Sequence, residues 1–167
     1  MAVREILLYP DPLLKTVCEP LETMDERTDA LVQDLIDTMV AAGHSVGVAA
    51  PQIGVTGRAV VVDVSKSKLG RENNHGLLVM INPEILQSEG RETMREGCMS
   101  VPDYTGNVER AEKIVVQFTD RAGKEQVISA SGFEAVAIQH ELDHLDGLLF
   151  LDRVSNLKTD VFRRKSR

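Results

Sequence analysis

Cysteine and long apolar runs are both scarce in this sequence, and each lack excludes a class of protein. Cys18 and Cys98 are the only two thiols among 167 residues, so a disulfide framework is not expected. No apolar stretch approaches the roughly 18 residues of a membrane-spanning helix. The N-terminus lacks the charged start, apolar segment and cleavage site of a secretory signal. We therefore expect neither secretion nor a membrane partner.

Positive charge is also scarce, since 19 Lys and Arg stand against 26 Asp and Glu and give a formal net charge of −7. A protein that binds nucleic acid through its phosphates needs a cationic face, so recognition of a specific nucleic-acid sequence is not expected. Segment 153–167 is the exception, with six basic residues and one acid. A solvated tail is the simpler interpretation of such a charge run. Its basic residues are Arg153, Lys158, Arg163, Arg164, Lys165 and Arg167.

The composition, with 43% hydrophobic and 27% charged residues, is that of an ordinary globular protein, and the length fits one domain over residues 1–167. Between residues 31 and 40, apolar side chains recur at helical intervals, and Gly43 supplies a stop. Thr23 and Glu26 have the spacing of a capping box. These features predict an N-terminal amphipathic helix.

Strands and a second helix are predicted further along the chain. Ser131 and Glu134 again have capping-box spacing, and the helix that they open should stop near Gly147. The connections between the strands are too short for helical crossovers, which favours antiparallel pairing. We therefore expect an α+β fold in which small antiparallel sheets pack around a central helix. The predicted strands are 60–62, 77–81, 84–87, 92–95, 114–119 and 126–130.

The second predicted helix carries the pattern His-Glu-x-x-His. His140 and His144 are four residues apart, so both imidazoles project from one helical face toward a single point. Glu141 lies a partial turn around the helix and can reach a water at that point. This arrangement is typical of metal-dependent hydrolases, although two solvated histidines on a surface helix would give the same short pattern.

Two histidines need a third protein ligand, and the usual source downstream of the helix is missing. Phe150 stands where the longer metalloprotease pattern has its third histidine, and neither His nor Glu occurs after His144. Cys98 is the strongest remaining candidate, because a thiolate binds zinc and ferrous iron well and Cys-His-His leaves one position open. Cys18 is interpreted as a buried apolar residue. Aspartates that stay formally possible as ligands are Asp143, Asp146, Asp152 and Asp160.

A loop at 43–54, rich in Gly and Ala, ends close to an amide side chain. Small residues permit close approach of the backbone to a ligand, and Gln52 could donate to a developing oxyanion. Plain packing of a helix-to-strand connection is the alternative for this segment.

Three segments in this order resemble the peptide deformylase family. They are Ser-Val-Gly-Val-Ala-Ala-Pro-Gln at 45–52, Glu-Gly-Cys-Met-Ser at 96–100 and Gln-His-Glu-Leu-Asp-His at 139–144. The resemblance extends to 6–14, to Val101-Pro102 with Arg110 and to 132–147, so it covers nearly the whole chain. Two departures stand out, since Ser45 replaces a glycine of the family's first motif and Met99 replaces a common leucine.

The resemblance implies an enzyme that removes the formyl group from the N-terminal formyl-methionine of nascent polypeptides in a bacterial cytoplasm. It implies one divalent metal ion held by Cys98, His140 and His144, with Fe²⁺ as the native ion and Zn, Ni or Co as substitutes. Glu141 would act as general base and then general acid, which agrees with its predicted position within reach of a water at the metal.

The resemblance also assigns residues around the reacting carbonyl. Gln52 and the backbone N–H of Met99 would stabilise the oxyanion. Gly47 would keep the pocket so tight that formyl is accepted and acetyl is rejected. The methionine side chain would lie among Val46, Val136 and Ala137, which could equally serve only to fill the core.

Two other functions remain open at this point. A zinc endopeptidase is favoured by His-Glu-x-x-His and disfavoured by Phe150, and a non-catalytic metal-binding module would need a fourth protein ligand. The basic segment suggests a further hypothesis, since a deformylase meets its substrate at the ribosome, whose RNA phosphates attract cations. Docking would then use Arg163, Arg164, Lys165 and Arg167, and deletion of 162–167 should leave peptide hydrolysis intact.

Overall fold

The computed structural model describes residues 2–22 and 24–164 as an α+β fold, which confirms the expected class and the antiparallel pairing. Its α-helices within these residues are α1 (Glu26–Ala42) and α2 (Gly132–Leu145). Short 3-10 helices cover Pro12–Lys15, Ala50–Ile53 and Phe150–Asp152. The strands are β1 (Gly47–Ala49), β2 (Ala59–Val62), β3 (Leu78–Glu89), β4 (Glu92–Cys98), β5 (Val101–Arg110), β6 (Lys113–Thr119), β7 (Glu125–Ser131) and β8 (Val161–Arg163).

The strands form two sheets, one of five strands in the order β1-β2-β3-β6-β7 and one of three in the order β4-β5-β8. Successive side chains of a strand point to opposite faces of its sheet, and β2 is buried on both. Val60 and Val62 belong to the core cluster that includes α2, whereas Ala59 and Val61 belong to the cluster that includes α1. The larger sheet therefore has one helix on each face.

A third apolar cluster joins the smaller sheet to the segment after α2. Cys98 and Val101, at the turn between β4 and β5, pack there with Leu149 and Phe150. Phe150 also stacks on the ring of His140, so this cluster links the end of β4 to the helix α2.

Both predicted capping boxes are replaced by other contacts. Thr23 lies outside the described residues, and α1 is capped by Asp25, whose carboxylate accepts from the N–H groups of Arg27 and Thr28. At the start of α2 the Ser131 side chain does not cap the helix but accepts a hydrogen bond from Asn73. A cap of this kind depends on side-chain direction, which spacing alone does not determine.

Glu134, the second member of the predicted α2 capping box, contacts a distant loop instead. Its carboxylate accepts from the backbone N–H of His75 at 2.7 Å and lies 2.5 Å from Nδ1 of the same residue. The contact ties the loop between β2 and β3 to the beginning of α2.

The predicted strands 77–81 and 84–87 are parts of one strand, β3. Asn82 lies between them with φ of 51°. Its side-chain amide accepts a hydrogen bond from the N–H of Leu21 and donates one to the carbonyl of the same residue. The register with β6 shifts at this point, as in a β-bulge. An irregular residue therefore interrupts the pairing without ending the strand.

No helix in the described ranges is both long and apolar enough to cross a membrane.

Candidate metal centre

The helix α2 and the end of strand β4 bring three metal-ligating side chains together. His140 and His144 lie one turn apart on α2, with ring centroids separated by 5.1 Å. Cys98 reaches them from β4, and its Sγ is 3.4 Å from Nε2 of His144. The candidate ligand atoms all lie within 4.8 Å of one another, and all three residues are buried. The geometry thus brings together the three predicted ligands.

The chemistry of this donor set fits a divalent transition metal. Burial alone would raise the pKa of the Cys98 thiol, but the neighbouring His144 and His140 lower it well below its usual value. Burial likewise opposes a charged His140, yet contacts with Cys98 and Glu96 raise its pKa well above the usual value. A thiolate between two imidazoles suits zinc or ferrous iron, and binding would release protons from the group.

A chain of charged groups holds His140 from behind. Its Nδ1 lies 2.8 Å from Oε1 of Glu96, which leaves the other ring nitrogen free to bind a metal. Arg110 donates to both carboxylate oxygens of Glu96, at 2.6 and 2.9 Å, and to Asp143 at 2.8 Å. Arg153 donates to Asp143 from the surface. Partners of this kind fix the orientation of a ligating histidine.

Sequence reasoning gave Glu96 and Arg110 no role, although both lie in segments that carry the family resemblance. The signal that could have found them is the pair of opposite charges on neighbouring strands, β4 and β5, next to a candidate ligand.

The carboxylate of Glu141 lies beside the three candidate ligands and is 4% exposed. Burial raises its pKa above the usual value, and electrostatic interactions with His140 and His144 oppose that effect. Its Oε1 is buried and has no hydrogen-bond partner among the described residues. A carboxylate with a raised pKa and a free oxygen is suited to accept a proton from a molecule that enters the site.

Gly47 lets strand β1 approach this carboxylate closely. A Cβ placed on Gly47 would lie 2.7 Å from Oε2 of Glu141, closer than real side chains come. The adjacent Ser45 occupies the position at which the family motif has a glycine. Its hydroxyl donates to the carbonyl of Gly47 at 3.0 Å and accepts from the N–H of the same residue at 3.4 Å. The serine side chain therefore bridges the loop at Gly47.

The side-chain amide of Gln52 is fixed by hydrogen bonds at both ends. Its Oε1 accepts from the N–H of Ala49 at 3.0 Å, and its Nε2 donates to Oγ of Ser100 at 3.1 Å. The same nitrogen lies 3.4 Å from Sγ of Cys98. The amide N–H groups thus face the candidate metal centre.

A cavity of about 460 Å³ gives access to the centre. Glu141 and Gln52 line it together with two of the candidate ligands, Cys98 and His140. The other residues that the sequence assigned to catalysis or substrate binding line the same cavity, and these are Val46, Gly47, Met99, Val136 and Ala137.

The cavity wall also contains residues that sequence reasoning missed. Phe133 and Pro102 add apolar surface, and Arg95 and Arg164 add cationic groups. Phe133 precedes Val136 by one helical turn and was recognisable from that spacing. The arginines were not, because the place of Arg95 depends on the pairing of β4 with β5 and that of Arg164 on the pairing of β8 with β5.

The described part of the basic segment is not a free tail, although Arg153, Lys158 and Arg163 are exposed to solvent as that interpretation expects. Arg153 pairs with Asp143. Residues Val161–Arg163 form β8, and Arg164 lines the cavity. Lys165 and Arg167 lie outside the described residues.

The segment after α2 supplies no further ligand to the group within the described ranges. Phe150, which stands where the longer protease pattern has a histidine, is buried and stacks on His140 with centroids 6.4 Å apart. The carboxylates of Asp143 and Asp152 are held by Arg110 and Lys15. Cys98 is therefore the third candidate donor of the group.

The fold and this buried centre place the chain among α+β proteins with a cysteine-histidine-histidine metal site. Comparisons with known proteins define the family. The model of the family "Polypeptide deformylase" matches residues 3–160. Peptide deformylases of Thermodesulfovibrio yellowstonii and Rhizobium meliloti are 46% and 44% identical to this chain, over 99% of its length and 97% and 92% of theirs.

Solved structures agree with the sequence comparisons. A peptide deformylase from Legionella pneumophila, 44% identical, superposes with a TM-score of 0.85 over 94% of this chain and 89% of its own. One from Ehrlichia chaffeensis in complex with actinonin, 38% identical, gives 0.88 over 95% and 92%. The chain belongs to the peptide deformylase family and is an enzyme, as its resemblance to that family implied.

Proposed function

We propose that the protein hydrolyses the formyl group from the N-terminal formyl-methionine of newly made polypeptides, and that it does so in the cytoplasm, where these polypeptides arise. Residues 1–167 act as one metallohydrolase domain in this proposal. The observation that carries it is the cavity, which brings an unpartnered carboxylate, Glu141, against a buried cluster of one thiol and two imidazoles.

Cys98, His140 and His144 would hold one divalent metal ion, natively Fe²⁺, with Zn, Ni or Co as substitutes that the same donor set accepts. When bound, such an ion lowers the pKa of a water molecule and polarises a carbonyl oxygen. Support for this ligand set comes from the mutual distances of the donors and from the low pKa of the Cys98 thiol. Metal analysis of protein purified without oxygen identifies the ion.

Glu141 takes the proton from the attacking water and later delivers it to the departing amine of methionine. Its raised pKa and its unpartnered oxygen support both transfers, since a proton acceptor works best when its pKa lies near the working pH. Gln52 donates from Nε2 to the oxygen of the formyl group as negative charge develops there. The backbone N–H of Met99, in the cavity wall, is the second proposed donor.

The shape of the cavity supports selection of both the acyl group and the side chain. Gly47 brings the backbone so close to Glu141 that little room remains at the reacting carbon, which favours formyl over acetyl. Val46, Val136 and Ala137 form an apolar wall for the methionine side chain. Exclusion of a larger acyl group by a rigid wall is more effective than selection by one extra apolar contact.

The two other functions that the sequence left open receive no support. A zinc endopeptidase with His-Glu-x-x-His would take its third ligand from downstream of the helix, where Phe150 packs on His140. A structural metal module would fill all four coordination positions with protein atoms. The group found in the described part of the chain has three donors.

The proposed reaction is tested with a short formyl-Met peptide, its acetyl-Met counterpart and an unmodified protein as endopeptidase substrate. We expect release of formate and a free methionine amine from the first peptide, with rates on the acetyl peptide lower by at least about 10²-fold because of the steric exclusion at Gly47. Mass spectrometry should find no internal cleavage of any substrate. Internal cleavage, or equal rates on formyl and acetyl peptides, contradicts the proposal.

Ribosome docking through the basic segment is a finer proposal, and the structure changes its test. Deletion of 162–167 would remove Phe162, whose ring lies 3.8 Å below the guanidinium of Arg95, and Arg164, which lines the cavity. The deletion is therefore not expected to spare hydrolysis, contrary to the prediction from sequence. Arg164 is left out of the docking set, which becomes Arg163, Lys165 and Arg167.

Combined substitution of Arg163, Lys165 and Arg167 by glutamine should weaken co-sedimentation with ribosomes and lower its dependence on salt, because three cations no longer displace counterions from RNA phosphate. Hydrolysis of a short formyl-Met peptide should be unchanged. The matched control removes three exposed cations elsewhere, Lys66, Lys68 and Arg71. Equal loss in both variants would mean that net charge, and not this segment, governs the association.

A further inference from the structure

The strand β8 places Arg164 at the wall of the active-site cavity. Phe162 of β8 lies opposite Thr105 of β5, and the N–H of Arg164 donates to the carbonyl of Asp103 at 2.7 Å. The backbone of Arg164 is thus fixed to the smaller sheet. Phe162 and Arg164, two residues apart, project to the same face of that sheet.

On β4 the same face carries Gly97 and Arg95, again two residues apart. Gly97 lies opposite Thr105. Thr105 lines the cavity together with Arg95, Gly97 and Arg164. A Cβ on Gly97 would lie 2.5 Å from Nη2 of Arg164, so the guanidinium rests directly on the glycine backbone. Gly97 immediately precedes Cys98. The cation of Arg164 therefore lies on the cavity wall one residue away from a proposed metal ligand.

Unlike Arg110 and Arg153, Arg164 has no carboxylate partner among the described residues. Arg110 and Arg153 are held by Glu96 and Asp143, whereas Nε of Arg164 is buried and has no hydrogen-bond partner among the described residues. A buried donor without a partner is costly unless a ligand satisfies it. The carboxylate of Glu96 also lines the cavity, but both of its oxygens already accept from Arg110.

Arg95 adds a second cation to the same wall. Its guanidinium stands 3.8 Å above the ring of Phe162, a contact that restricts a long side chain that would otherwise be free in solvent. Arg95 and Arg164 thus flank Phe162 on one face of the sheet, and we call them the arginine pair. Their planar, donor-rich groups match a carboxylate in shape and charge.

We propose that Arg164, assisted by Arg95, is a specificity-determining residue that binds a side-chain carboxylate in one of the two residues after the formyl-methionine. The inference rests on the proposed function, since it concerns the part of the peptide that extends out of the cavity past Gly97. In a nascent polypeptide the side chains with this chemistry are those of Asp and Glu. The protein should therefore process chains with an early acidic residue more efficiently than their neutral counterparts.

The test uses matched formyl-Met peptides, amidated at the C-terminus, that carry either Glu or Gln in the second or third position. The measured quantity is the ratio of kcat/KM for the Glu and Gln peptides. The wild-type ratio should exceed one at one of the positions, mainly through KM, and should fall as salt is added. Arg164→Gln should lower the ratio by about tenfold, the effect of losing one charge-assisted hydrogen bond.

Further variants separate charge from structure. Arg164→Lys keeps the charge but not the planar fork and should give an intermediate ratio, and Arg164→Glu should prefer a Lys peptide to a Glu peptide. Arg163→Gln, on the exposed side of the same strand, is the matched control and should keep the wild-type ratio. Thermal unfolding of each variant checks that β8 still pairs.

The outcomes separate this inference from the function on which it rests. If the wild type hydrolyses none of the formyl peptides, the proposed function fails. If it hydrolyses Glu and Gln peptides equally well at both positions, the proposed function stands and the role of Arg164 is rejected. A fall in activity that is the same for both peptides in Arg164→Gln would likewise assign the residue to structure alone.

Discussion

Glu141→Gln is expected to bind metal as the wild type does and to lose at least about 10²-fold in kcat, because glutamine has nearly the same size but cannot accept a proton. The carboxylate is 4% exposed, lies beside the proposed ligands and has a free oxygen, so the substitution changes one group without opening a cavity. The loss should appear in kcat and in kcat/KM alike, since the proton is transferred on the way to the transition state.

A second buried glutamate on the same helix provides the control. Glu134 is 1% exposed and contacts His75 outside the candidate centre. Glu134→Gln should lower stability more than turnover. Turnover is measured with a formyl-Met peptide and is divided by the metal content of each preparation. Wild-type turnover by metal-loaded Glu141→Gln would remove Glu141 from the proton-transfer role.

The elements of the centre that were predictable from sequence are those set by local geometry. The spacing of His140, Glu141 and His144 fixes their directions as soon as the segment is helical, and α2 contains all three. Cys98 was identified by its donor chemistry as the strongest remaining candidate, with aspartates left open. Its approach to α2 depends on the turn after β4 and on its packing against Phe150, neither of which has a local sequence signal.

Predictions that depended on a distant partner failed, and the reason is the same each time. Glu134 was expected to cap its own helix, but its carboxylate accepts from the backbone N–H of His75, 59 residues away, and lies 2.5 Å from Nδ1 of that residue. The segment around Arg163 was interpreted as a charged tail because its composition is basic. Its backbone pairs with β5, and backbone pairing does not depend on the charge of the side chains.

The charged groups that orient His140 were also not predictable, because their contacts join residues that are distant in the sequence. Glu96 and Arg110 are 14 residues apart, yet a bidentate contact joins them because β4 and β5 form a hairpin. Asp143 continues the chain of charges from α2. Sequence motifs indicated which segments matter, but the assignment of each charged group to a partner required the register of the strands.

Cys98→Ala is expected to lower metal affinity by more than about 10²-fold, since loss of an outer partner of a ligand already costs up to that factor. Two imidazoles without the thiolate leave a weaker and more open site. Metal content after dialysis and turnover of a formyl-Met peptide should fall together. The protein should remain folded, because the change removes one sulfur atom from the edge of a small apolar cluster.

Cys18→Ala is the matched control, because Cys18 is equally buried but belongs to the core cluster around α2. Burial raises the pKa of its thiol, so this side chain stays protonated and is a poor ligand. The control should keep its metal and most of its activity, with only a modest loss of stability. Stoichiometric metal in Cys98→Ala would reject the proposed ligand set, and loss of metal from Cys18→Ala would mean that the assay reports general loosening of the core. The contrast between the two thiols therefore tests whether position beside His140 and His144, and not cysteine as such, makes the ligand.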